Sequence, residues 1–156
     1  MGKTSVATRK IGEIVDPCEL PQFNADSEEI RRILSTYKTV AVIGISPKEH
    51  RPSHWIAQYL KEQGYRVIGV NPGHEQILGE KVYPSLSEVP EPVDIVDIFR
   101  RPEAVDEIVE EAIAKKAKVI WMQEGIVNNQ AAQRARAAGL TVVMNKCIYK
   151  EHQTLI

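Results

Sequence analysis

A surplus of charge of one sign is the first thing this sequence lacks. Its 20 Lys and Arg nearly balance 21 Asp and Glu across 156 residues. A polyanion-binding surface carries a strong basic excess, so no nucleic-acid partner is expected and any anion site must be a local cluster. Cysteine is scarce as well. Cys18 and Cys147 make neither a disulfide framework nor a metal site in a chain of this size. Long apolar runs are missing too. Lys3, Arg9 and Lys10 are not followed by a stretch that reads as a signal peptide, and no later run is long enough to span a membrane. These absences describe a soluble cytoplasmic protein with no membrane partner, long enough for one domain with a real core.

Residues 1–25 show no sustained period and are punctuated by Pro17 and Pro21, so they read as an N-terminal arm. Residues 26–156 read as one domain. Asp26 or Ser27 can cap a helix that carries Ile30, Ile33, Leu34 and Tyr37 on one face. Strands are then expected at 40–44, 66–70, 93–99, 118–122 and 140–144, with a short one at 81–83. Helices are expected at 52–63, 102–115 and 128–138. Strands apolar throughout, alternating with helices, predict an α/β fold: a doubly wound, mainly parallel sheet covered on both faces. Such sheets bind ligands just beyond the carboxyl ends of their strands.

Glycine is short where a dinucleotide-binding loop would need it. "VAVIGISPKEHRPSHW" (40–55) has Gly44 but no further spaced glycines. In their place stand Ile45, Ser46, Lys48, Arg51, Pro52 and Ser53. Ser46 offers a hydroxyl, Pro52 suits the first position of a helix, and that helix start favours an anion beside Lys48 and Arg51. An ordinary solvated connection is the plainer alternative. A carboxylate is missing too. After the second strand come Asn71, Pro72, Gly73 and His74, with no acid before Glu75. NAD-binding folds usually carry an acid there for the ribose hydroxyls, whereas a neutral or basic residue accepts a phosphorylated ribose.

Gly-Ile-Ser with Arg51-Pro52-Ser53, then "VNPG", "GEKVYPSL", "VDIVDIFRRPE", "WMQEG" and "AAGLTVVMNKCI", resemble the small stand-alone CoA-binding proteins. These are similar to the CoA-binding domain of the succinyl-CoA synthetase alpha subunit and of ADP-forming acyl-CoA synthetases. The resemblance covers residues 27–152 and implies a Rossmann-like fold that binds coenzyme A or an acyl-CoA. It places Gly44, Ile45, Ser46, Arg51, Pro52 and Ser53 against the pyrophosphate, and Asn71 and Pro72 in the adenosine pocket. It places His74 where the family commonly has a lysine facing the 3′-phosphate. Phe99 and Arg100 would cover the middle of the ligand, and Gln123, Glu124 and Gly125 would approach its pantetheine arm. The usual "MDRC" is here Met144-Asn145-Lys146-Cys147, and the segment takes no assigned role.

Other residues take plainer readings. Trp55 and Tyr59, one helical turn apart, read as packing. Trp121 reads as half core, Cys147 as a small half-buried residue, and His152 as part of a solvated polar tail. Lys115, Lys116 and Lys118 read as a solvated helix end. Asp94 and Asp97, three apart in a strand, point to opposite faces and make no paired-carboxylate site. No nucleophile stands with a base and an orienting group, and the chain ends soon after the domain, so a binding module without catalysis is expected. The alternatives are an NAD(P)-dependent oxidoreductase or redox sensor on the same fold, and a regulatory subunit of an acyl-CoA synthetase-like partner.

Overall fold

Alternating apolar strands and amphipathic helices wind a sheet on both sides of its first strand. A computed structural model describes residues 19–156, so Cys18 and most of the arm assigned to 1–25 lie outside the described residues. The strands are β1 (Thr39–Ile43), β2 (Arg66–Val70), β3 (Gln76–Ile77), β4 (Glu80–Tyr83), β5 (Ile95–Ile98), β6 (Val119–Met122) and β7 (Thr141–Val143). They form one seven-stranded sheet in the order β3-β4-β2-β1-β5-β6-β7, parallel except for the β3–β4 pair. The chain builds outward from β1 to β2 and β4, then crosses back to β5 on the other side. That reversal makes the β1–β5 boundary the switch point of the fold.

The helices are α1 (Ser27–Thr36), α2 (Pro52–Glu62), α3 (Val105–Ala114), α4 (Asn129–Ala137) and α5 (Ile148–Leu155). Asp26 caps α1 by accepting from the Glu29 amide at 2.9 Å, and Asn128 caps α4 by accepting from Ala131 at 3.0 Å. Side chains alternate across the strands and split the core in two. Ala41, Ile43, Val96, Ile98, Ile120 and Met122 pack under α3 and α4. Val40, Val42, Val67, Ile95, Trp121 and Val143 pack under α1, α2 and α5.

Three features depart from expectation. The expected helix at 102–115 opens as a 3₁₀ turn, Pro102–Ala104, before α3 begins. A hairpin joins β3 to β4 through Leu78 and Gly79, with φ of +56° and +72°. Leucine rarely adopts that conformation, so the turn carries only one of its usual residue signals, Gly79. The polar tail, finally, is helical. α5 buries Ile148 and His152, the latter only 7% exposed, which corrects the reading of His152 as solvated.

The segment before α1 lies along the outer side of β7 and α4. Asn24 pairs with both backbone groups of Met144, its Nδ2 donating to the carbonyl at 2.8 Å and its Oδ1 accepting from the amide at 2.9 Å. Arg136 stacks over Phe23 at 4.1 Å. Among the described residues no helix is long and apolar enough to cross a membrane.

Candidate functional site

The loops beyond the carboxyl ends of β4, β2, β1, β5 and β6 gather the residues singled out from the sequence. Adjacent strands lie about 4.8 Å apart, so this edge runs about 19 Å from β4 to β6. An elongated ligand fits such an edge.

Gly44 sits at the switch point. Its amide donates to the Val70 carbonyl at 2.8 Å, and its φ is +90°. A Cβ there would lie 2.8 Å from Cδ of Arg100 and 3.0 Å from the Phe99 carbonyl. Glycine is thus required twice, for the backbone angle and for the stem of Arg100 pressed against it. Ile45 is buried and lies over Gly69, where a Cβ would come within 3.0 Å of it.

The β1–α2 loop is tied internally. The Ser46 amide donates to Oγ of Ser53 at 3.0 Å, and Oγ of Ser46 accepts from the Lys48 amide at 3.1 Å. Nδ1 of His54 meets the Ser46 carbonyl at 2.8 Å, and Nδ2 of Asn71 donates to the Ile45 carbonyl at 2.7 Å. Both serine hydroxyls therefore shape the loop, and each keeps its own O–H to donate. Arg51 is the N-cap of α2 without a side-chain cap bond, and Pro52 follows at the first helical position. Lys48, Arg51, Arg100 and Arg101 are exposed, and among the described residues no carboxylate lies within ion-pair distance of any of them.

Beyond β2, Oδ1 of Asn71 accepts from the Gly73 amide at 2.9 Å and closes the turn. Pro72, Gly73 and His74 form one wall of an open pocket of about 860 Å³, with Lys81, Val82 and Pro84 opposite. Lys81, over the Tyr83 ring at 5.0 Å, is a cation that the sequence reading missed. Its signal was present, a lysine directly before Val82, the buried residue of β4.

Around β5 and β6 the structure reveals a buried acid that the sequence reading had set aside. Asp97 is fully buried, its Oδ1 accepting from Nε2 of Gln123 at 2.5 Å, while Oδ2 has no protein partner. Burial pushes its pKa up to about 8, against the lowering effect of the Gln123 bond, so at neutral pH the group is mostly an uncharged acid. Oε1 of Gln123 accepts from the Ile148 amide at 3.4 Å, fastening the first turn of α5 to β6. Glu124 pairs with Lys150 at 2.9 Å, and the Gly125 amide donates to Oδ1 of Asn145 at 2.7 Å. Asn145 thereby joins the β6 and β7 loops.

Other residues settle into packing. Trp121 is fully buried rather than half core, its Nε1 donating to the Lys146 carbonyl at 2.8 Å. Cys147 is buried at the N-cap of α5. Lys115 is not simply solvated, since its Nζ donates to the Val89 carbonyl at 2.6 Å. His152 meets the Tyr59 hydroxyl at 2.7 Å through Nδ1, and burial, then the charge of Lys38, hold its pKa below the usual value. No group of three or more His, Cys, Asp or Glu among the described residues could hold a metal ion.

A model of the CoA binding domain family matches residues 38–153. The chain belongs to that family. An uncharacterized protein of Bacillus subtilis (strain 168), YneT, is 40% identical over 129 residues, covering 83% of this chain and 96% of its own. The solved structure of a hypothetical protein from Pyrococcus horikoshii OT3 superposes with a TM-score of 0.83 at 42% identity, over 88% of this chain and 96% of its own. An ADP-forming acetate–CoA ligase of Archaeoglobus fulgidus is 40% identical over 74 residues, which are 47% of this chain and 11% of the ligase. The CoA-binding domain match spans every carboxyl-edge loop described above.

Proposed function

We propose that this protein binds coenzyme A or an acyl-CoA along the carboxyl edge of its sheet, without catalysis of its own. The observation that carries the reading is the set of unpaired cations at the switch point of a CoA binding domain fold. The β1–α2 loop, from Gly44 to Ser53, cradles the pyrophosphate, with Lys48 and Arg51 supplying charge and the start of α2 supplying its dipole. Asn71 and Pro72 line the adenosine, and His74 faces the 3′-phosphate. Phe99 and Arg100 lie beside the middle of the ligand, and Gln123, Glu124 and Gly125 beside its pantetheine arm. Residues 26–156 form the binding unit, working in the cytoplasm.

Calorimetry with CoA, NAD and NADH tests this. CoA binds clearly more tightly than either nicotinamide cofactor. Comparable affinities would mean a generic dinucleotide site and favour the oxidoreductase alternative. The ADP-forming ligases that match over about a tenth of their length support a second reading, in which the domain serves a catalytic partner. Recovery of a partner only in the presence, or only in the absence, of CoA distinguishes it.

A further inference from the structure

Trp55 is one of three large apolar side chains left exposed among the described residues, with Leu20 and Ile156, and the one of them that lies within the folded core elements near the carboxyl edge. It stays 40% exposed, whereas Trp121 is fully buried. It sits in the first turn of α2, directly after His54, whose ring meets the Ser46 carbonyl in the anion loop. Tyr149 sits in the first turn of α5, directly after Ile148, whose amide donates to Gln123. The two rings meet edge to face at 5.0 Å. Behind them Tyr59 packs edge-on against Tyr149 at 4.7 Å and holds His152. An aromatic wall therefore joins the starts of two helices that both open onto the carboxyl edge, one beside the cation cluster and the other beside Gln123.

We infer that Trp55 and Tyr149 hold the apolar acyl group of an acyl-CoA, making the site selective for the acylated ligand over free CoA. The inference rests on the CoA reading given above. Helix packing alone accounts for Tyr59, whose ring is partly buried between Tyr149 and His152. It leaves unexplained an indole that stays open to solvent and whose N–H has no protein acceptor among the described residues. A ligand anionic at one end and apolar at the other needs both halves of this arrangement: cations for its phosphates, and an exposed aromatic face further along. The exposed Lys150–Glu124 pair stands next to Tyr149 in the chain, where the polar part of the arm would pass.

Calorimetry of the full chain with CoA and with octanoyl-CoA supplies the test. The parent binds octanoyl-CoA about tenfold more tightly, the gain from burying about two methylenes. Trp55→Ala brings the two ligands within about twofold while CoA itself changes by less than that; Trp55→Phe keeps most of the preference. Octanoyl-CoA also shifts the tryptophan emission of the parent to the blue, and CoA does not. Equal affinities in the parent, or a preference that survives Trp55→Ala, overturn the acyl wall and leave the CoA reading standing. Failure of both ligands to bind removes both.

Discussion

The amino edge of the sheet and the switch-point part of its carboxyl edge treat their cations in opposite ways. At the amino edge Arg66 meets Glu91 at 2.5 Å and Glu80 at 3.6 Å, and Lys61 meets Glu80 at 3.0 Å. These bonds hold the Glu91 and Glu80 carboxyls below their usual pKa. At the carboxyl edge Lys48, Arg51, Arg100 and Arg101 have no such partner among the described residues, and the one acid buried behind them, Asp97, is held largely uncharged. Charge that the fold does not use at one edge is charge available to an anion. Composition alone hides this, because the totals balance.

Asp97 offers the strongest way to break the contrast. Its folded pKa is raised from 3.8 to about 8. The stability it contributes is thus fully present below its unfolded pKa and is lost as pH rises through the folded one. Asp97→Asn cannot ionise, so its stability relative to the parent improves between about pH 4 and 8, at up to about 1.4 kcal/mol per unit. Urea unfolding of both proteins at pH 5 and 7.5 measures this, and a constant difference would mean that Asp97 is ionised in the folded state.

Arg51 and Arg66 sharpen the contrast directly. Arg51→Ala weakens CoA binding by about tenfold to a hundredfold, the loss of a charge-assisted bond of about 1.5–3 kcal/mol, with the melting temperature unchanged. Arg66→Ala does the reverse: CoA affinity holds and stability falls by less than about 1 kcal/mol, since its ion pairs are half exposed. Matched effects on affinity and melting from either substitution would erase the distinction between the edges.

The smallest effect belongs to His74. His74→Ala lowers the preference for CoA over 3′-dephospho-CoA by about threefold to tenfold, the loss of one hydrogen bond to the phosphate of about 0.5–1.5 kcal/mol. His74→Lys keeps the preference high. Lys81 lines the same pocket and supplies the remainder of the preference. A preference that survives His74→Ala unchanged would place the 3′-phosphate away from His74.

The central strands, the helices of the doubly wound core and the carboxyl-edge loops could all be read in advance, because parallel strands buried on both faces are apolar throughout and Gly44, Pro52 and Gly139 punctuate them. What escaped was information held in three dimensions. Asp97 looked like one of two scattered carboxylates, and only folding places Gln123 against it. The Leu78–Gly79 turn was hidden by a leucine in a glycine's conformation. α5 was lost in "IYKEHQTL", where Ile148, His152 and Leu155 share one face but the middle member is polar. A histidine at a core position of a helix was the signal available.

Asn24 has a consequence for assembly. Its carboxamide takes both backbone groups of Met144 and so behaves as a strand one residue long at the end of β7. β7 itself spans only Thr141–Val143, and too little bare backbone remains there to template a neighbour. Lateral growth of the sheet is terminated by a single side chain, and a second molecule that docks on this flank must do so through side chains rather than by strand addition.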